Sequence, residues 1–297
     1  MDSAGTPRPV VVGYDHSDTA IAALDWAGQL ADKNGAPITV VHASEAIVYA
    51  QDVSYGFLKP DQEHERAERI AQKGVDHLSA KHTGLAITAV GSILSATVAL
   101  DEGSTSASVI VVGSHGRGRI NSIMLGSTAY AISGHARCPV IVVRDGHAAM
   151  PGPGRPVVVG SDGSKSARNA VDAAATVAQQ WDATLLLVSS WTPPLPDPWG
   201  NPPSGYSSDA AALKAREGKT REVNQDSVDH VRLEHPDMVV EGLVMEARPE
   251  DAVMGASPDA AMLVLGSRGH TKFIGAFLGS TARAVLHQST TPVMVVQ

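Results

Sequence analysis

The sequence predicts an α/β protein built from two tandem doubly wound domains, each a five-stranded parallel sheet flanked by helices. Two observations predict this fold. Short apolar runs rich in Val and Ile alternate with longer segments of helical periodicity, which is typical of successive βαβ units. The second half of the chain also repeats the motifs of the first. Because the strand segments are apolar almost throughout, they indicate strands that are covered on both faces.

Two motifs recur at fixed distances along the chain. Residues 111–127, "VVGSHGRGRINSIMLGS", are matched 153 positions later by "VLGSRGHTKFIGAFLGS". The earlier stretch "VVVGYDHSDTA", residues 10–20, is matched only 147 positions later by "VVVGSDGSKSA". The second half must therefore hold six extra residues between its two motifs, and the proline-rich "WTPPLPDPWGNPPSGYSS" is their predicted place. A repeat of this length indicates two copies of one domain rather than a solenoid.

The two domains are predicted to span residues 1–147 and 156–297. Between them, the stretch "RDGHAAMPGPGRP" at residues 144–156 has the Gly and Pro content of an exposed linker.

The elements of the first domain follow from its apolar periodicity. Ser17 and Ser127 stand at predicted helix N-caps. The helical stripe of Ala20, Leu24, Ala27 and Ala31 is predicted to pack in the core. The predicted strands lie near residues 9–14, 37–43, 85–90, 108–113 and 139–143, and the predicted helices lie near 17–33, 60–82, 93–105 and 127–136. The second domain repeats this order, with strands near 156–161, 183–189, 239–245, 261–266 and 292–296.

The composition excludes some classes of partner. With 31 acidic against 23 basic residues the formal net charge is −8, which argues against non-specific binding to nucleic acid or to an anionic membrane. The single cysteine, Cys138, precedes an apolar run and is predicted to be a small buried side chain. The N-terminal "MDSAGTPRP" lacks the apolar core of a signal peptide, and no stretch approaches the ~18 continuous apolar residues of a membrane helix. We therefore expect a cytoplasmic protein without membrane or nucleic-acid partners.

A candidate ligand site lies where two predicted strands end. Asp15 follows the first strand and Gly113 ends the fourth, and in a doubly wound sheet the ligand crevice lies at this edge. The glycine-rich loop then leads to a helix whose unpaired N–H groups favour an anion. Gly116 and Gly126 would let the backbone approach phosphate oxygens. By itself the loop is also explained as a tight packing turn, and it is neither a Walker A sequence nor a G-x-G-x-x-G fingerprint.

The combination of these residues resembles the universal stress protein family. The spacing Gly113-x-x-Gly116, then nine residues and Gly126-Ser127, carries the resemblance together with the aspartate of "VGYDHS" and the strand "ITVVHA". Both halves match, so the chain is similar to tandem-domain members over nearly its whole length. In that family the G-x-x-G-x9-G-S/T pattern marks the members that bind ATP. The resemblance implies an adenine nucleotide alpha hydrolase-like sheet of strand order 3-2-1-4-5, ATP bound together with Mg²⁺, and a homodimer.

The resemblance also implies which residues form the two sites. Asp15 would lie near the ribose and adenine, Val41 would offer its backbone to the adenine edge, and the glycine loop would hold the phosphates. The implied residues of the first site are Gly13, Asp15, Val41, Gly113, Ser114, His115, Gly116, Arg117, Gly118, Arg119, Gly126, Ser127 and Thr128. Those of the second site are Gly160, Asp162, Val188, Gly266, Ser267, Arg268, Gly269, His270, Thr271, Lys272, Gly279, Ser280 and Thr281.

Each copy departs from the family pattern at a different place. The first has Asp-His-Ser where the family usually has Asp-Gly-Ser, so His16 is a candidate contact or obstacle beside the nucleotide. The second has "VSSW" where the first has "VVHA", which changes the adenine side of its site.

A nucleotide-binding protein is favoured over an enzyme, because no set of catalytic side chains is shared by the two halves. No catalytic residue and no protein metal site are predicted. The expected function is that of a regulatory or protective factor in stress response, acting through nucleotide-dependent assembly or binding of a protein partner. Two alternatives stay open: slow ATP hydrolysis at the same sites, and a structural interaction module with empty crevices.

Overall fold

The computed structural model describes residues 7–45, 59–116, 125–144, 149–193, 210–256, 258–269 and 278–297. The chain divides into two compact units. The first holds Met1–Met150 together with Leu286–Val295 and Gln297, and the second holds Pro151–Val285 together with Val296.

The first unit is built on a parallel sheet covered by helices. Its strands are β1 (Val10–Gly13), β2 (Ile38–Ala43), β3 (Ile87–Ser92), β4 (Val109–Gly113) and β5 (Val140–Val143). Its helices are α1 (Asp18–Asn34), α2 (Pro60–Lys81), α3 (Ala96–Ser104) and α4 (Ser127–His135). The strands lie in the order β3-β2-β1-β4-β5, which confirms the predicted order 3-2-1-4-5 and places the reversal of strand order between β1 and β4. Within the same unit, the first residues of β10 (Val293–Val296) pair antiparallel with β5.

The second unit repeats the parallel arrangement. Its strands are β6 (Val157–Gly160), β7 (Leu185–Trp191), β8 (Val240–Glu246) and β9 (Met262–Gly266), paired in the order β8-β7-β6-β9. The helices of the second half are α5 (Lys165–Gln180), α6 (Ala210–Glu234), α7 (Pro249–Gly255) and α8 (Ser280–Gln288).

The strand registers show where the two copies differ in length. Val12 pairs with Val40 in the first unit, and the residues 147 positions later, Val159 and Leu187, pair in the second. The next pairing, Val40 with Ala89, is matched by Leu187 with Gly242, so the distance has grown to 153 on β8. The six extra residues therefore lie between β7 and β8, an interval that contains the proline-rich segment.

Helix α1 shows why these elements form where the sequence predicts them. Its stripe of Ala20, Leu24, Ala27 and Ala31 is buried, which confirms the core role of these residues. Three of the four are alanine, so the helix axis can approach the sheet closely. The helix begins after Ser17, whose hydroxyl accepts the backbone N–H of Ala20 as an N-cap.

The second predicted N-cap was wrong. Ser127 is the first residue of α4, and the N-cap position belongs to Gly126, which offers no side-chain cap. Gly126 is fixed there because its N–H donates to the carbonyl of Ser114 at 2.6 Å, so the glycine loop rather than a serine hydroxyl sets the start of the helix. Cys138, in contrast, is buried as predicted, and burial raises the pKa of its thiol to about 11.

Across the described parts of the chain, every helix is too short or too polar to cross a membrane.

One polar contact between helices occurs in both units. The Nε2 atom of His77 on α2 lies 2.7 Å from Oδ1 of Asp25 on α1. At the matching place in the second unit, Nε2 of His230 on α6 lies 2.8 Å from Oδ1 of Asp172 on α5. The first pair is better shielded, with both side chains 27% exposed against 45% for His230 and 60% for Asp172. Lys81 adds a third partner to Asp25 at 2.7 Å.

These contacts shift the titration of Asp25. Burial alone would raise the pKa of its carboxyl, but the hydrogen bonds and positive charges of Lys81 and His77 outweigh burial and lower the pKa below its ordinary value. A carboxylate with a lowered folded-state pKa stabilises the fold above its unfolded pKa, and this stabilisation is lost as the pH falls through the folded value.

We expect Asp25→Asn to lower the free energy of unfolding by about 1 kcal/mol at pH 7, because it removes a charge-assisted hydrogen bond between α1 and α2. The loss should shrink as the pH falls below about 4, since the wild-type carboxyl then becomes protonated as well. Urea unfolding followed by circular dichroism at pH 7 and at pH 3 measures both effects.

The matched control is Asp172→Asn, which removes the same pair from the second unit where both side chains are more exposed. We expect Asp172→Asn to lower the free energy of unfolding by less than half as much as Asp25→Asn does. Equal losses in the two variants, or a loss at Asp25 that is unchanged in acid, would contradict this account.

Candidate functional site

A crevice of about 320 Å³ lies at the carboxyl edge of the first sheet, where the strand order reverses. Val41, Leu100 and Val112 form an apolar part of its lining. The glycine loop and the first turn of α4, at residues 126–129, form another part. The N–H groups of that turn have no partner within the helix, which gives this part of the crevice a partial positive charge.

The aspartate at the end of β1 shapes the turn that leads into α1. Oδ1 of Asp15 accepts the backbone N–H of Ser17 at 3.0 Å and its hydroxyl at 2.6 Å. In the second unit, Oδ1 of Asp162 accepts the N–H of Ser164 at 2.9 Å, and the hydroxyl of Ser164 caps α5. The Asp-x-Ser motif therefore has a structural role in both copies, since one carboxylate oxygen holds the turn.

The other carboxylate oxygen faces the glycine loop. A Cβ atom on Gly116 would lie 2.6 Å from Oδ2 of Asp15, and one on Gly269 would lie 2.8 Å from Oδ2 of Asp162. The backbone of the loop thus lies directly against the carboxylate in each unit. Only glycine fits this approach without moving the aspartate.

Other described glycines of the loop line the crevices and also pack closely against protein atoms. A Cβ on Gly113 would lie 2.7 Å from the backbone carbonyl carbon of Thr19, and one on Gly266 would lie 2.7 Å from that of Ser166. These glycines let the first turn of the helix lie against the end of β4 or β9. A Cβ on Gly126 would come within 3.2 Å of the Cα of His115. Within one motif, the glycines thus serve packing as well as access to the crevice.

The middle residue of Asp-x-Ser differs between the copies but keeps one conformation. His16 has φ +68°, and Gly163 has φ +79°. Glycine adopts this left-handed region without strain, whereas His16 is held there with its Nδ1 atom 2.9 Å from the hydroxyl of Tyr14. The ring of His16 packs against Tyr14 and does not line the crevice.

Two residues on the adenine side of the predicted site were missed by sequence reasoning. Tyr14 and His42 both line the first crevice. His42 is only 2% exposed, and its Nδ1 atom bonds the carbonyl of Tyr14 at 2.7 Å. Burial, with the nearby charge of Asp15, raises the pKa of Tyr14, so its hydroxyl stays protonated. The sequence offered one signal for both residues: Tyr14 directly precedes Asp15, and His42 directly follows Val41.

The second crevice is larger, at about 660 Å³. Ser161 and Ser189 occupy the places of Tyr14 and His42 in this unit. The hydroxyl of Ser189 donates to the carbonyl of Ser161 at 2.7 Å, which preserves the contact that His42 makes with Tyr14. The smaller side chains thus keep this contact, and Ser161 leaves more room in the second crevice than Tyr14 leaves in the first.

Most of the sequence-predicted site residues are brought together in these crevices. Ser114 and Ser267 are buried and do not line them. Arg117, Gly118, Arg119, His270, Thr271 and Lys272 lie outside the described residues. The first crevice is lined by Gly13, Asp15, Val41, Gly113, His115, Gly116, Gly126, Ser127 and Thr128. The second is lined by Gly160, Asp162, Val188, Gly266, Arg268, Gly269, Gly279, Ser280 and Thr281.

The chain is similar to known proteins in both sequence and fold. A model of the universal stress protein family matches residues 7–144 and again residues 154–297. A universal stress protein of Mycolicibacterium smegmatis is 30% identical over 301 residues, covering 100% of this chain and 99% of that protein. One from Mycobacterium tuberculosis is 27% identical over 300 residues, with 99% and 98% coverage. The crystal structure of a universal stress protein from Archaeoglobus fulgidus is similar in fold, with a TM-score of 0.63 and 20% identity over 97% of this chain and 96% of its own.

We expect Gly113→Ala and Gly266→Ala each to lower the free energy of unfolding by about 1–3 kcal/mol, because the added Cβ meets backbone atoms that cannot rotate away. Gly103→Ala is the control, since its Cβ would lie 3.5 Å from the nearest side chain and the position is helical. That variant should be neutral or more stable by up to ~1 kcal/mol. Thermal unfolding of the three variants distinguishes packing glycines from tolerant ones, and a neutral Gly113→Ala would refute the packing role.

Proposed function

This chain belongs to the universal stress protein family, and from that premise we propose that each of its two units binds ATP in the crevice at the carboxyl edge of its sheet. One observation carries the proposal. In both units an aspartate at the end of the first strand faces the second glycine of the loop, and both residues line a crevice.

The two sides of each crevice suit the two ends of the nucleotide. The adenosine part would lie on the apolar side, against Val41 and Leu100 in the first unit and against Val188 and Val253 in the second. The phosphates would lie at the first turn of α4 or α8, where backbone N–H groups have no partner within the helix. Asp15 or Asp162 would then lie between the ribose and the loop.

The energetics require both sides to contribute. Micromolar affinity corresponds to about 8 kcal/mol, whereas a helix dipole supplies only ~0.3–1 kcal/mol. Charge-assisted hydrogen bonds supply ~1.5–3 kcal/mol each. Several bonds to phosphate, together with burial of the base, are therefore needed, and each crevice combines an apolar side with a helix N-terminus.

Mg²⁺ would enter together with the triphosphate. Among the side chains that the structure describes, no group of three or more His, Cys, Asp or Glu residues is arranged to hold a metal ion. Protein-bound Mg²⁺ is commonly held by substrate phosphates with one or two carboxylates, and Asp15 and Asp162 are the carboxylates that line the crevices.

The biological output that we propose is regulation rather than chemistry. Nucleotide occupancy would change assembly, as a homodimer, or the binding of a protein partner during stress response in the cytoplasm. A ligand that binds only the folded state also raises its stability, by about 2.7 kcal/mol at a concentration one hundred times the Kd. ATP would therefore protect the protein itself under denaturing stress.

We expect isothermal titration with Mg-ATP to give two sites per chain in the wild-type protein. Gly116→Val should remove the first site and Gly269→Val the second, because the new side chain occupies the space of the carboxylate that faces the crevice. The double variant should bind no ATP and should lose the rise in melting temperature that ATP gives the wild type.

Gly218→Val is the control for introducing a valine, since a Cβ on this residue of α6 meets no atom within 4 Å. It should keep two sites. The proposal would be contradicted if wild-type protein carries no adenine nucleotide after purification, gives no heat with Mg-ATP and melts at the same temperature with and without ATP.

A further inference from the structure

We infer that the second crevice discriminates between nucleotides by their number of phosphates. This inference rests on the proposed binding of nucleotide in both units. It names Arg268 and Arg283 as the residues that set the preference of the second crevice for triphosphate over monophosphate.

The described lining residues of the two crevices differ in charge. Asp162, Arg268 and Arg283 line the second crevice, which gives two guanidinium groups against one carboxylate. Asp15 is the charged group among the described lining residues of the first crevice, and Arg117 and Arg119 of its loop lie outside the described residues. The two guanidinium groups of the second crevice favour a highly charged anion.

The difference arises at two matching positions of the repeat. Arg268, directly before Gly269 in the loop, corresponds to His115. The imidazole of His115 has only two nitrogens, and Nδ1 lies 2.9 Å from the hydroxyl of Ser114. Arg283, in the first turn of α8, corresponds to Tyr130, which does not line the first crevice.

Both arginines are available for an anion. Their side chains are exposed, and neither makes an ion pair with a carboxylate within the described ranges. A guanidinium is charged at every physiological pH and presents five N–H donors in a planar fork that matches the oxygens of phosphate. Two such groups near one helix N-terminus can contact more than one phosphate at once. A monophosphate offers only one phosphate and leaves part of these contacts unmade.

The larger volume of the second crevice leaves room for an extended triphosphate with its hydration. The second crevice has about 660 Å³ against about 320 Å³ in the first, and Ser161 lines it where Tyr14 lines the first. In a mixture of nucleotides, occupancy of the second crevice would follow the ratio of ATP to AMP.

The test measures AMP and ATP affinities at one crevice at a time by calorimetry in full-length protein. Gly116→Val leaves only the second crevice open, and Gly269→Val leaves only the first. We expect the second crevice to bind ATP at least tenfold tighter than AMP. Raising NaCl from 50 to 500 mM should weaken the binding of ATP to the second crevice more than the binding of AMP, because salt screens exposed charges.

Arg268→Gln combined with Arg283→Gln should reduce the ATP preference of the second crevice about tenfold and leave its AMP affinity nearly unchanged. Arg221→Gln is the matched control, because Arg221 lies on α6, pairs with Glu217 and does not line the crevice. Arg221→Gln removes a positive charge from the same unit and should leave the preference of the second crevice for ATP over AMP unchanged. Melting temperatures without ligand should be nearly unchanged in the double variant and in the control, since the replaced arginines are exposed.

The outcomes separate this inference from the proposed function. If neither AMP nor ATP binds to wild-type protein, the proposed function itself fails. If the second crevice binds AMP as tightly as ATP, or if its preference for ATP survives loss of both arginines, nucleotide binding stands and the inference is overturned. A preference confined to the first crevice and abolished by Arg117→Gln with Arg119→Gln would also overturn it.

Discussion

The close approach of an aspartate and a glycine at the carboxyl edge of each sheet is the constraint on which the candidate site depends. One oxygen of Asp15 holds the turn into α1 through Ser17, and this leaves the other facing Gly116. The end of the first strand, the start of the first helix and the loop after the fourth strand are thereby held together. Asp162 and Gly269 repeat the arrangement, so the same local chemistry forms both crevices.

The residues of the glycine loop serve close packing and also line the crevice. Gly113 is needed because a helix backbone lies against it, and Gly116 because a carboxylate does. Gly126 donates its N–H to the carbonyl of Ser114 and so fixes where α4 begins. A tight turn with no side chains is what brings a helix N-terminus to the crevice. The turn and the candidate phosphate site therefore follow from the same residues.

The two copies keep their backbone contacts while their side chains have diverged. His42 in one unit and Ser189 in the other both bond the carbonyl of the residue that follows the first strand, although they differ greatly in size. His16 and Gly163 share a left-handed conformation despite the cost to histidine. Changes of this kind alter the volume and charge of a crevice without changing the fold, so one architecture provides two different ligand environments.

The fold class, the duplication and the residues at the ends of β1 and β4 could be predicted from the sequence, because they depend on periodicity and spacing within short segments. The strand order 3-2-1-4-5 came only from the resemblance to a known family. The role of each glycine depends on the tertiary structure, since the atoms that exclude a side chain at Gly113 belong to Thr19, on a distant segment. The tertiary structure also places Tyr14 and His42, but not His16, in the lining of the first crevice, and Arg283 in that of the second. Such contacts depend on how helices lie against the sheet, which no local pattern encodes.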